Sequence, residues 1–125
     1  MGEPRVGHID DFGDGLVRKL RSGLGVEAFG VNAFVLEPAA EVRRHSHARQ
    51  DELYFVHAGT PQIEIEGVVH RLRPGSVAHV PARFVRQLRN HGDEQAIVLI
   101  VGASGGYVGH DGRIPDDDDA RGTTG

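Results

Sequence analysis

The sequence predicts an all-β fold, a sandwich or a small closed barrel, on three observations. Glycine supplies 18 of 125 residues, about twice the usual ~7% share. Between the glycines lie about eight short runs rich in Val, Ile, Leu and Phe, with turn residues every ~8 to 12 positions, the spacing of short antiparallel strands. No stretch carries the 3.6-residue apolar period of a long amphipathic helix.

Each element follows in order. DGLVRKLRSGL, residues 14–24, fits either one helical turn or an edge strand. VNAFVLE, residues 31–37, is the first strong strand and ends at Pro38. EVRRHSH comes next, then DELYFVHAG, in which Glu52, Tyr54 and Val56 share one face and Leu53, Phe55 and His57 the other. Both faces carry apolar residues, which predicts cover on both sides. PQIEIEG alternates cleanly, with Ile63 and Ile65 inward and Glu64 and Glu66 toward water. Gly67 turns the chain into VVHRLR, and Pro74-Gly75 turns it into SVAHVP. After a loop at residues 82–84 come VRQLRN, a turn at NHGD, and the apolar strand EQAIVLIVG. The tail GHDGRIPDDDDARGTTG is polar and acidic and is expected to be disordered. Its aspartate run lacks the glycine and terminal glutamate of a calcium loop. The expected organisation is one domain over residues 1–108, with its core at about 30–102, and a tail over 109–125.

Composition narrows the function classes. Fourteen basic and 18 acidic residues give a net charge of −4. The tail holds five aspartates against two arginines, a net −3, which leaves the rest of the chain at −1. That balance offers no basic stripe, so no nucleic-acid partner is expected. With no cysteine, disulfides and thiolate metal sites are excluded. The N-terminal residues lack a basic segment followed by an apolar one, so no signal peptide is expected, and a cytoplasmic location is. AIVLIV is far shorter than the ~20 residues of a membrane helix, so no membrane partner is expected.

The chemistry concentrates in RRHSHARQDELYFVHAG, residues 43–59. On a strand, His45 and His47 project from one face. If the chain turns at ARQD and returns alongside, Glu52 faces the same cavity. Two imidazoles and one carboxylate on one side of an ion suit iron, manganese, zinc or nickel. An H-x-H pair alone does not separate a metal site from a solvent-lined strand.

The wider pattern does more. His45, His47, Glu52 and Gly59 stand in the spacing H-x-H, four residues, Glu, six residues, Gly, and here the sequence resembles the cupin family. A second segment, RPGSVAHVPARFVRQLRN, resembles that family's other motif in its Pro-Gly turn, its strand-ending Val-Pro and Asn90. The resemblance covers about residues 30–102. It implies a jelly-roll barrel, a double-stranded β-helix, with His45, His47 and Glu52 as metal ligands. Family members of this size resemble dioxygenases, isomerases and decarboxylases alike, so it names no reaction and no catalytic residue.

Two positions depart from the family pattern. A glycine often found six residues before the first histidine is Ala39, at small expected cost in a turn. The fourth metal ligand, a histidine five residues after the strand-ending proline, is Arg86. Arginine has no acceptor for a metal. At ~5 Å and an effective dielectric near 20, it also opposes a divalent ion by about 6 to 7 kcal/mol before screening.

Arg86 therefore either turns outward, grips an anionic ligand beside the metal, or pairs with Glu52 through a bidentate salt bridge in a metal-free barrel. The ligand-binding candidates are Arg86, Tyr54 and His79. Ile63, Ile65 and Leu88 are expected to line the pocket with Tyr54. Whether His79 faces inward depends on strand register. His8, His57, His70, His91 and His110 are assigned no function. Two readings stay open: a metal-dependent cupin acting on a small, anionic organic molecule, and a metal-free binding module. Strands apolar on both faces, such as LYFV, predict a homodimer.

Overall fold

A computed structural model describes residues 2–115. The aspartates at 116–119, within the tail expected to be disordered, lie outside the described residues. Among the described residues ten strands form: β1 (Val17–Arg18), β2 (Gly30–Leu36), β3 (Ser46–His47), β4 (Asp51–Ala58), β5 (Gln62–Ile65), β6 (Val68–Arg71), β7 (Val77–Val80), β8 (Arg86–Arg89), β9 (Ala96–Ala103) and β10 (Gly112–Arg113). A 3-10 turn (Ile9–Phe12) and one short helix, α1 (Leu20–Leu24), accompany them. Residues 14–24 thus contain both the edge strand and the helical turn that the sequence left as alternatives.

Every pairing is antiparallel. One sheet runs β1-β2-β9-β4-β7, a second β6-β5-β8, and a two-stranded ribbon joins β10 to β3. The core fills the space between the two larger sheets. Leu36, Tyr54, Val56 and Val98 from the first pack with Ile63 and Leu88 from the second, all nearly free of solvent. β9 alternates strictly between buried and half-buried residues, as a strand with one face on the core must. The Glu66-Gly67 corner between β5 and β6 has both residues at positive φ, 49° and 83°. That is the two-residue hairpin turn whose twist matches its strands.

EVRRHSH does not form the regular strand expected of it. It runs beside β8 through isolated bridges at Glu41–Arg89 and His45–Arg86, and only Ser46–His47 is strand. Two consecutive arginines and two histidines supply few apolar contacts to hold a continuous ladder flat.

The outer face of β4 is also less covered than expected. Leu53 and Phe55 are 45% and 38% exposed. The N-terminal segment reaches this side, and Ile9 lines a cleft there with Phe55, Ile97 and Leu99.

Gly59 shows why the first motif ends in glycine. It follows an irregularity in β4, where the register against β9 shifts between Val56 and Ala58. Its φ is +80°, and a Cβ there would lie 2.6 Å from both Ala96 Cα and the Gln95 carbonyl oxygen.

Candidate functional site

Three segments bring the donors together. His45 exchanges both backbone hydrogen bonds with Arg86, at 3.0 and 2.8 Å. His47, in β3, donates its N–H to the Ala82 carbonyl and lies opposite Gly112 of β10. Glu52, in β4, sits between Val80 and Gly102. The two imidazoles meet edge to face with centroids 4.9 Å apart. One donor atom from each of His45, His47 and Glu52 lies within 4.8 Å of the others.

Their protonation suits a cation. His45 Nδ1 lies 2.8 Å from the Arg43 carbonyl, which only accepts, so Nδ1 carries the proton and Nε2 keeps its lone pair. Burial lowers the His45 pKa below its ordinary 6.5, despite the Arg43 carbonyl and the Glu52 charge, so the ring stays neutral. Burial alone would raise the Glu52 pKa. The His47 ring 3.2 Å from Oε2, the Tyr54 hydroxyl and the Arg86 charge outweigh it and hold the carboxyl below its ordinary 4.5. His47 Nε2 is buried without a well-aligned hydrogen-bond partner, 3.2 Å from Glu52 Oε2. A neutral imidazole, an ionised carboxylate and an orphaned ring nitrogen together fit a divalent ion.

Glu52 divides its two oxygens. Oε1 accepts a 2.7 Å hydrogen bond from the Tyr54 hydroxyl and lies 3.6 Å from Arg86 Nη1. Oε2 faces His47. One oxygen is thus engaged by the core while the other turns toward the donors.

The pocket in front of the donors has a volume of about 350 Å³, and its walls include Asn32, Phe34, Gln50, Ile100 and Tyr107. A family model for the cupin domain matches residues 32–102 of this chain. The chain belongs to the cupin family. Among solved structures, it is similar to a sugar phosphate isomerase of the cupin superfamily from Silicibacter pomeroyi. That match has 34% identity, covers 70% of this chain and 57% of that one, and has a TM-score of 0.65. A cupin protein from Bacteroides fragilis shares the fold at 22% identity and TM-score 0.72, over 92% of this chain and 99% of that one. Among curated proteins, the 5-nitrosalicylic acid 1,2-dioxygenase of Bradyrhizobium sp is 30% identical over 67 residues, 54% of this chain and 32% of that protein. Protein SchB of Streptomyces halstedii is 31% identical over 62 residues, 50% of this chain and 45% of SchB. The chain therefore spans less than half the length of these curated relatives.

In this cupin the three expected ligand-binding side chains do not reach the pocket. Arg86 is sealed: its side chain has 0% exposure, and Nη2 donates to the Val80 and Pro81 carbonyls at 3.1 and 2.9 Å. It meets Glu52 through one nitrogen at 3.6 Å, not as a bidentate fork. Tyr54, 2% exposed, belongs to the core. Burial first, then the Glu52 charge, raises its pKa well above 10, so it acts as a fixed hydrogen-bond donor. Ile63 and Leu88 pack in the same core, with Ile65 against it, and do not line the pocket. His79 points outward, because its register partner on β4 is Leu53; it contacts Asp51 at 3.1 Å.

Other residues of this cupin take their places. Asp111 is 5% exposed and accepts the N–H groups of Arg49 and Gln50, with distances of 2.8 to 3.1 Å. Its Oδ2 lies 3.7 Å from His47 Nδ1, beyond hydrogen-bond distance. Burial would raise the Asp111 pKa, but the Gln50 and Arg49 backbone donors bring it below its ordinary 3.8. Gln50 Nε2 lies 3.1 Å from His47 Nδ1, and because an amide nitrogen only donates, Nδ1 accepts in this contact. Its amide oxygen occupies space beside Gly102, where a Cβ would come within 2.5 Å and require the flexible Gln50 side chain to shift. Residues 109–112, expected to open a disordered tail, instead line the pocket, and Gly112–Arg113 form β10. A lone aspartate beside an acidic run gives no sequence signal of burial. The nearest cue was the glycine in GHDGR.

Proposed function

We propose that this cupin binds one divalent metal ion through His45, His47 and Glu52 and presents it to a small, oxygen-bearing organic anion in the adjoining pocket. The observation that supports this reading is the convergence of a neutral imidazole, an ionised carboxylate and a buried, orphaned imidazole nitrogen. Iron, manganese, zinc or nickel suits the donor set. A bound metal would polarise a ligand oxygen or activate dioxygen. The chain's own groups orient the donors. Tyr54 and Arg86 hold one Glu52 oxygen, the Arg43 carbonyl fixes the His45 ring, and Gln50 and Asp111 flank the outer nitrogen of His47. An oxygenase or isomerase activity is the reaction class we propose, in keeping with the names of the dioxygenase and sugar phosphate isomerase relatives. We place the protein in the cytoplasm as a homodimer.

One observation favours a second reading, a metal-free binding module. Arg86 lies 3.6 Å from Glu52 and already offsets the charge that a cation would use. Elemental analysis of untagged protein separates the two. A stoichiometric metal that disappears in His47→Ala is the result expected of the metal-dependent cupin. A metal-free protein whose Arg86→His variant gains a metal is the result expected of the module.

A further inference from the structure

Burial of Arg86 leaves the metal pocket without the cation that was expected to hold an anionic ligand, and among the described residues no lysine or arginine lines it. The positive charge lies next door. A smaller cavity of about 200 Å³ shares Gly30, Val31, Asn32 and Tyr107 with the metal pocket, so the two form adjoining lobes of one cleft. Its other walls are Lys19, Arg21 and Ser22. The Arg21 guanidinium stacks 3.9 Å from the centroid of the Tyr107 ring, which fixes its plane without consuming its hydrogen-bond donors. Among the described residues, neither Lys19 nor Arg21 has an acidic partner. Arg18, one position from Lys19, is by contrast buried and tied to Asp10 at 2.9 Å.

We propose that this smaller lobe seats the phosphate or carboxylate group of a two-ended ligand whose other end reaches His45, His47 and Glu52. Two cations and the Asn32 amide offer an oxyanion several donors, with the guanidinium able to donate through two parallel N–H groups, while the Ser22 hydroxyl donates to the Lys19 carbonyl at 3.4 Å. The metal-facing end rests on the function proposed above; the anion seat does not. Tyr107 serves both lobes. It forms part of the wall they share and carries the stacked guanidinium, so the seat depends on the C-terminal segment as well as on α1.

Inorganic phosphate, titrated into the full chain and followed through backbone amide shifts, is the test, with sodium chloride at matched ionic strength as the control. Saturable shifts should centre on residues 19–22, 30–32 and 107. Affinity should fall about tenfold in the Lys19→Ala/Arg21→Gln double variant, as expected when charge-assisted hydrogen bonds are lost. The exposed Lys19→Glu variant, which disturbs no packing, should weaken binding as well. His47→Ala should leave phosphate affinity within about twofold of the parent, since that ring lies in the other lobe. Shifts confined to residues 45–52 that vanish in His47→Ala, affinity unchanged in the double variant, or no saturable shift would each overturn the seat. Metal analysis of the same samples keeps the two ideas apart. A metal-free chain that binds phosphate at Lys19 and Arg21 fails the metal reading and supports the seat. A metal-loaded chain indifferent to both substitutions does the reverse.

Discussion

Ala39 occupies the position where related sequences often carry glycine, and its φ is +74°. A Cβ in that left-handed conformation costs about 1–2 kcal/mol, so the departure that looked inexpensive in the sequence is strained. Ala39→Gly should raise unfolding stability by about 0.5–1 kcal/mol, because glycine's greater unfolded-state entropy offsets part of the relief. Urea denaturation checks it; an unchanged or lower midpoint would count against the strain.

The buried donors also fix how the metal-free chain responds to acid. His45 titrates below its ordinary 6.5 when folded, so the unfolded chain takes up that proton first. Stability is lost as pH falls from 6.5 toward the lowered value. Glu52 and Asp111, also lowered, add stability above their ordinary 4.5 and 3.8 that is lost as pH falls through their folded values. The denaturation midpoint should therefore be flat above about pH 7, step down as pH falls below about 6.5 and fall further below about pH 4.5. His45→Gln should remove the first step and keep the second.

At the scale of elements, the Gly59 corner binds β4 to β9 more tightly than any turn residue alone requires. Substitution meets backbone on the other side, at Ala96 Cα and Gln95 O, which no rotamer change relieves. Gly59→Ala should destabilise by about 2–4 kcal/mol, combining left-handed strain with overpacking. Gly67→Ala, whose added Cβ would meet nothing within 4 Å, should cost only about 1 kcal/mol. Chemical denaturation of the pair distinguishes steric closure from turn conformation; equal losses would show that contact with β9 is unimportant.

Across the whole molecule, the alternation of β5 and the apolar run of β9 were legible because burial on a pleated face imposes a period of two. The triad was legible through the family spacing of His45, His47 and Glu52, not through strand pairing, since β3 pairs with β10 and β4 with β7 and β9. His79 was not legible: parity pairs it with Val77, but only the register opposite Leu53 says which side that is. Asp111 was hidden for another reason. Its value comes from three hydrogen bonds to a loop more than 60 residues earlier, and composition carries no trace of such a contact.

The exposed side of the larger sheet presents Leu53, Phe55 and Val77, the last 65% exposed, beside the edge strand β7. Such a patch on an open edge invites pairing. Sedimentation should give a dimer at micromolar concentration that Val77→Lys shifts toward monomer, and a monomeric parent protein would dismiss the pairing.

The clasp of Asp111 on the loop before β4 also sets a schedule for synthesis. A nascent chain that has already released both imidazoles and the glutamate still lacks the carboxylate that pins their connecting loop. Until that late residue leaves the ribosome, the coordinating pocket stays unlatched, although β9, which completes the larger sheet, ends only eight residues earlier.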